Sequence, residues 1–246
     1  MRVSILTLFP DAVCAYTETS LMGRAQKNKK LSVSVLNIRD FARDKHHTTD
    51  ERPFGGGPGM LMKAEPIVRG VLAAARGALR QTQGKQKKAK TISKKQTLVV
   101  ITDATGKVFS QTSAKLWPKK YKHLIFICGR YEGIDARVST ILKSEGFQTQ
   151  HMSIGDFVLT GGELPALVML DACARHVVGV LGDADSLEES RDSLGVPSYT
   201  RPAEVVWKAK GKKAKFYRVP SVLESGDHAR VAAWRKENKK MLTHPQ

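Results

Sequence analysis

The stretch Ser153-Ile-Gly-Asp-Phe-Val-Leu-Thr-Gly-Gly-Glu-Leu-Pro165 decides the fold. Its paired glycines let the backbone turn and approach a neighbour closely, and Pro165 suits the first turn of a helix. The residues that follow, over 162–180, are apolar nearly all round, so the helix they form belongs inside the protein. A second stretch, Cys128-Gly-Arg-Tyr-Glu-Gly-Ile134, has the same character. Both read as turns between a strand and a helix, the place where open α/β sheets bind ligands. Working outward, short β-branched runs at 3–9, 31–38, 97–102 and 124–128 read as strands buried on both faces. Helical patterns lie between and beyond them at 12–27, 63–79, 110–117 and 134–144. Such alternation predicts an α/β domain with a mainly parallel sheet.

Composition narrows the ligand. Among 246 residues, Lys and Arg number 41 against 23 Asp and Glu, a net charge of +18 that points to a polyanionic partner. The apolar opening run is too short for a secretory leader, and no later run is long enough to span a membrane. The cysteines Cys14, Cys128 and Cys173 are odd in number and far apart, which supports neither a disulfide framework nor a zinc site. A cytoplasmic protein with reduced thiols is expected.

The loop Arg52-Pro-Phe-Gly-Gly-Gly-Pro-Gly-Met60 has a backbone built for close approach to a ligand. Cations and titratable groups from Arg43 to Arg52 precede it, and a helix start follows, a setting that suits an anion. His46 and His47 are adjacent, so their rings diverge, and no third ligand stands at a metal-binding spacing. They are assigned with Arg43 and Arg52 to positioning the polyanionic partner, and no metal is expected. Two basic segments interrupt the α/β order. Residues 84–95 read as a mobile lysine-rich loop, and residues 206–219 as a basic hairpin with Trp207, Phe216 and Tyr217 interleaved. Phosphate contacts and base stacking are the chemistry such a pattern serves.

Nucleotide-binding signatures are missing: no GxGxxG follows the first strand, and Asp103-Ala-Thr-Gly-Lys107 lacks the other elements of a P-loop. Asp171 and Arg175 fall four residues apart on the apolar helix. An intrahelical ion pair would explain them, as would a site facing a pocket, where a cation stabilises developing negative charge.

The motifs Asp50-Glu-Arg-Pro-Phe-Gly-Gly-Gly-Pro-Gly-Met60, Cys128-Gly-Arg-Tyr-Glu-Gly-Ile-Asp135, the 153–165 stretch and Tyr199-Thr-Arg-Pro202, in this order, resemble the bacterial tRNA (guanine-N1)-methyltransferases of the SPOUT class. The resemblance runs from Met1 to about Arg235. It implies a trefoil-knotted parallel α/β sheet with flanking helices, an exception to the rule against knots, and a small, mainly helical C-terminal module. It implies S-adenosylmethionine as donor, N1 of guanosine 37 in tRNA as acceptor, and a homodimer with active sites at the subunit interface. Carried over by motif, the donor site comprises Gly106, Gly129, Tyr131, Glu132, Ile134, Ile154, Gly155, Asp156, Phe157, Val158, Leu159, Gly161, Gly162 and Pro165. Asp50, Arg52, Gly55, Gly56, Gly57 and Gly59 fall to the tRNA.

Guanine N1 carries a proton and becomes nucleophilic only when a base removes it, whereupon charge spreads onto O6. Arg175 matches the arginine to which the family gives the O6 role. The family's aspartate base lies in an acidic segment before Tyr-Thr-Arg-Pro; here that segment reads Leu187-Glu-Glu-Ser-Arg-Asp-Ser-Leu194. Ungapped, the position falls on Ser190. A small shift places Asp192 there, and Asp192 is taken as the base because serine is far weaker; Glu189 is the substitute. The expected organisation is a methyltransferase domain over 1–182, a linker carrying the base over 183–202, and a short tRNA-binding module over 203–246. Relatives usually continue through more helix, and the basic segments are expected to supply the missing tRNA contacts. A SPOUT enzyme for another nucleoside, or an RNA-binding relative without catalysis, would share much of this sequence.

Overall fold

The computed structural model describes residues 1–79, 87–88, 91–181, 193–238 and 240–241. The chain divides into two compact units, Met1–Asp183 and Ala184–Gln246.

The first unit is built on a five-stranded sheet: β1 (Arg2–Thr7), β2 (Ser32–Asn37), β3 (Thr97–Val108), β4 (His123–Ile127) and β5 (Gln148–Ser153), in the spatial order β2-β1-β4-β3-β5. Every adjacent pair is parallel, as the alternation of elements predicts. Period-two alternation sorts the strand residues onto two faces. Val3, Ile5, Leu98, Val100, Leu124 and Phe126 join one buried cluster, and Leu6, Val99, Ile101, Ile125 and Ile127 join the other. Helices α1 (Pro10–Thr17), α2 (Ser20–Lys27), α4 (Gln111–Lys120) and α6 (Glu163–Ala174) cover the first face. Helices α3 (Ala64–Ala75) and α5 (Arg137–Ser144) cover the second.

Several boundaries differ from the sequence reading. The helix expected over 12–27 is two helices, because Thr17 and Thr19 turn their hydroxyls onto the backbone carbonyls of Val13, Ala15 and Tyr16 and offer the chain an alternative to the next turn. Helix α3 stops at Ala75, where Gly77 adopts a positive φ of 80°, rather than running to 79. Helix α6 ends at Ala174, not at 180. The fifth strand lies outside the four apolar runs: Gln148-Thr-Gln-His-Met-Ser153 is polar because it edges the sheet and buries only Met152 and Ser153.

Strand β3 is longer than the expected 97–102. Its pairing with β5 jumps from Thr102 to Lys107, both opposite Met152, so residues 103–106 leave the ladder as an excursion. The lysine-rich segment is not wholly a free loop. Lys87–Lys88 pair with Ala78–Leu79, and Lys94 Nζ donates to the Glu145 carbonyl at 2.6 Å and lies over the Phe147 ring. Residues 80–86 and 89–90 lie outside the described residues.

The second unit carries the antiparallel hairpin Glu204–Trp207 with Lys215–Arg218, the short helix Ser221–Glu224 and the helix His228–Glu237. Asp227 caps that last helix, accepting from the amides of Ala229 and Arg230. Tyr199 packs against Trp234 with ring centroids 6.3 Å apart.

Candidate active site

Three loops meet at the carboxyl ends of β3, β4 and β5, where parallel sheets place their ligands. Residues 101–105, 129–134, 151–154 and 157–162 of these strand ends and loops, with Pro165, enclose a cavity of about 450 Å3, within the range of small-molecule sites. Thr102 ties the loops together: its hydroxyl donates to the Ile127 carbonyl at 3.1 Å and accepts from the Gly129 amide at 3.0 Å. The Gly162 amide in turn donates to the Gly129 carbonyl at 2.8 Å.

This crossing explains the glycines. A Cβ on Gly162 would lie 1.9 Å from Thr102 Oγ1 and 2.7 Å from the Gly129 nitrogen, and one on Gly161 would strike the Arg130 side chain. Arg130 is held by stacking over Phe9, 4.4 Å from the ring centroid. Its Nη2 stands 2.8 Å from Glu163 Oε2, an ion pair not aligned as a hydrogen bond, and Thr7 donates to Glu163 Oε1 at 2.6 Å. With Glu163 buried at the start of α6, this pair fixes the second and third loops to each other and to β1.

On the opposite rim, Asp103 accepts from the amide and hydroxyl of Thr105, both at 2.8 Å, which shapes the excursion. Asp103 Oδ2 also lies 2.9 Å from His151 Nδ1, while His151 Nε2 meets Ser139 Oγ at 2.6 Å. Burial acts to raise the Asp103 carboxyl, but hydrogen bonds from Thr105 and His151 outweigh it and hold the group below the ordinary carboxylate range.

The sequence-derived donor residues divide clearly. Gly129, Tyr131, Glu132, Ile134, Ile154, Phe157, Val158, Leu159, Gly161, Gly162 and Pro165 line the cavity. Gly106, Gly155 and Asp156 do not. Gly106 has a packing reason instead, since a Cβ there would sit 2.6 Å from the backbone of His151 and Met152. Thr102, Asp103, Arg130 and His151 belong to the site but were not assigned to it. Arg130 lay inside a quoted motif, whereas nothing in the local pattern marked Asp103 or His151.

The glycine loop stands beside this cavity. Gly55, Gly56, Gly57 and Gly59 all have positive φ, from 79° to 114°, a conformation that side chains resist. Gly59 abuts the Glu132 side chain, and the Glu132 amide donates to the Met60 carbonyl at 3.1 Å. Asp50 pairs across a short ladder with Met62, and Arg52 is exposed.

A family model described as tRNA (Guanine-1)-methyltransferase TrmD matches residues 1–246. The chain belongs to this family. A tRNA (guanine-N(1)-)-methyltransferase of Dictyoglomus turgidum is 40% identical over 240 residues, 96% of this chain and 84% of its own. One from Myxococcus xanthus is 41% identical over 245 residues, covering 98% and 87%. One from Staphylococcus aureus (strain JH9) is 40% identical over 247 residues, covering 99% and 88%.

In this member of the tRNA (guanine-1)-methyltransferase family, Arg175 is not part of the cavity wall. It caps the far end of α6, thirteen residues from Gly162, which at 1.5 Å per residue is about 20 Å away. Asp171, on the same helix, accepts a short hydrogen bond from the Tyr16 hydroxyl; that bond, with burial, pushes the phenol up to about 12. Asp192, Glu189 and Ser190 lie outside the described residues. Among the described residues, no helix is long and apolar enough to cross a membrane.

Proposed function

We propose that this protein transfers the methyl group of S-adenosylmethionine to N1 of guanosine 37 in tRNA, in the cytoplasm. The observation that carries the reading is the three-loop cavity, lined by the family's own glycine motifs at the ends of parallel strands. The donor supplies an electrophilic methyl group on a sulfonium. The loops fit such a molecule because they present main chain to the cavity, packed closely against one another where Gly161 and Gly162 forgo side chains. Tyr131, Phe157, Val158 and Leu159 supply apolar surface for its ring and chain.

The remaining groups act on the acceptor. Asp192 takes the N1 proton, and Arg175 stabilises the negative charge that then develops on O6. Arg52 and the loop of Gly55, Gly56, Gly57 and Gly59, with Asp50, position the tRNA against the mouth of the donor cavity. We also assign to the parallel-sheet unit the trefoil knot that the family resemblance implies.

The working form is a homodimer with composite sites. Helix α6 is apolar nearly all round, yet Leu164 is 63% and Val168 49% exposed, and Phe9 and Tyr16 of the same unit are about half exposed. An apolar surface of this kind suits a second copy. The ten residues of α6 that separate Arg175 from Pro165, about 15 Å, call for the same arrangement, with the arginine serving the partner's cavity.

The test is methyl transfer from labelled S-adenosylmethionine to tRNA, with the modified atom identified by nucleoside analysis. N1-methylguanosine at position 37 is expected; another nucleoside would move the protein to a different SPOUT activity, and no product would leave an RNA-binding protein. Asp192→Ala should abolish turnover while donor affinity is kept. An active Asp192→Ala with an inactive Glu189→Ala would transfer the base role to Glu189.

A further inference from the structure

The hairpin of the second unit has no part in the chemistry described above. Its register places Val205 opposite Tyr217 and Trp207 opposite Lys215, so Trp207 and Tyr217 share one face as diagonal neighbours. Val206 and Phe216 pair on the other face, beside the ion pair of Glu204 with Arg218. All five apolar side chains are 49–64% exposed, so both faces leave apolar surface open to solvent. An isolated two-stranded ribbon is marginal in water, and apolar groups on both of its faces favour a partner that covers one.

Charge selects the partner. Residues 205–217 contain Lys208, Lys210, Lys212, Lys213 and Lys215 and no acid. A turn between Ala209 and Lys212, with Gly211 at a φ of 73°, gathers most of them at the tip. All five are exposed, and none is in an ion pair among the described residues. A repeated phosphate chain satisfies such a tip, and flat aromatic faces beside it accept bases. The deep groove of a paired A-form helix is closed to side chains, so the bases concerned are unpaired ones.

We propose that this hairpin is a second RNA-contact element: Trp207 and Tyr217 stack on unpaired nucleotides of the tRNA, while the tip lysines follow the adjoining phosphates. The proposal rests on the tRNA methyltransferase reading above and adds a recognition surface to it. The hairpin contributes affinity for tRNA and leaves the donor site untouched.

The experiment measures binding of unmodified tRNA to the full chain across a range of salt, alongside methyl transfer and donor affinity. Replacing Lys208, Lys210, Lys212 and Lys213 by serine should weaken tRNA binding at least tenfold at low salt. It should also reduce the log–log salt slope by up to about 3, at roughly 0.7 per single-strand phosphate contact. Trp207→Ala should weaken binding about fivefold or more with the slope kept, and Trp207→Tyr should restore most of the loss. Donor affinity should equal that of the wild type in every variant. Unchanged tRNA affinity and slope would overturn the proposal. So would a lysine variant that loses binding to anionic vesicles or changes its sedimentation but holds tRNA as before, because the hairpin would then serve a membrane surface or a second copy. These outcomes are separate from failure of the activity itself, which would appear as wild-type protein that binds tRNA but yields no N1-methylguanosine.

Discussion

His123 is buried at the start of β4, its Nε2 2.9 Å from Ser4 Oγ, and burial with the nearby Arg2 charge lowers it to about 3 from 6.5. The folded protein therefore holds this imidazole neutral, while the unfolded chain binds a proton below its ordinary value. Stability from this residue is complete above pH 6.5 and is lost as pH falls toward 3, by about 2 kcal/mol at pH 5. Urea unfolding at pH 7 and pH 5 should show that loss, and His123→Gln should flatten it. Gly162 presents a different constraint, since its missing Cβ is the space that Thr102 Oγ1 and the Gly129 backbone occupy. Gly162→Ala should cut donor affinity about tenfold or more, by calorimetry, with far-ultraviolet dichroism little changed. The glycine positions were legible in the sequence because close backbone approach leaves a compositional mark. Asp103 and His151 were not, because their pairing joins residues 48 apart that only the β3–β5 register brings together.

At the scale of elements, four strands announced themselves as apolar runs because both faces of the sheet are covered by helices. The polar edge strand β5 carried no such run, yet it holds His151 against the 103–106 excursion. That contact is expected to set the shape of one cavity wall. His151→Ala should weaken donor binding several-fold, about 1 kcal/mol, with the maximal rate at saturating donor largely preserved. Measuring donor dissociation constants beside turnover separates this from a general loss of fold. Helix ends were legible only within a few residues, since the break between α1 and α2 depends on hydroxyls choosing carbonyls and not on any change of hydrophobic period. The candidate base lies outside the described residues, and the sequence places it only within a segment, because an acidic stretch with a length change aligns in more than one way.

At the scale of the whole molecule, the distance between Arg175 and its own cavity makes a definite forecast. Mixing an Arg175→Ala protein with a Gly162→Ala protein, at a donor concentration too low to fill the Gly162→Ala cavity, should restore roughly a quarter of wild-type turnover, the share of sites left intact when subunits pair at random. No recovery after demonstrated subunit exchange would assign Arg175 to the cavity of its own chain. Leu164→Glu with Val168→Glu should abolish both the dimer and turnover, with sedimentation and methyl transfer as the paired readouts. The glycine crossing has a further consequence, for inhibition and the evolution of resistance. A compound that competes for the cradle through main-chain contacts meets a wall whose shape substitution cannot easily alter, because side chains added at Gly161 or Gly162 collide with the protein before they reach the compound. Escape variants selected against such a compound should therefore map to its uptake, its export or the amount of enzyme made, and seldom to the cradle itself.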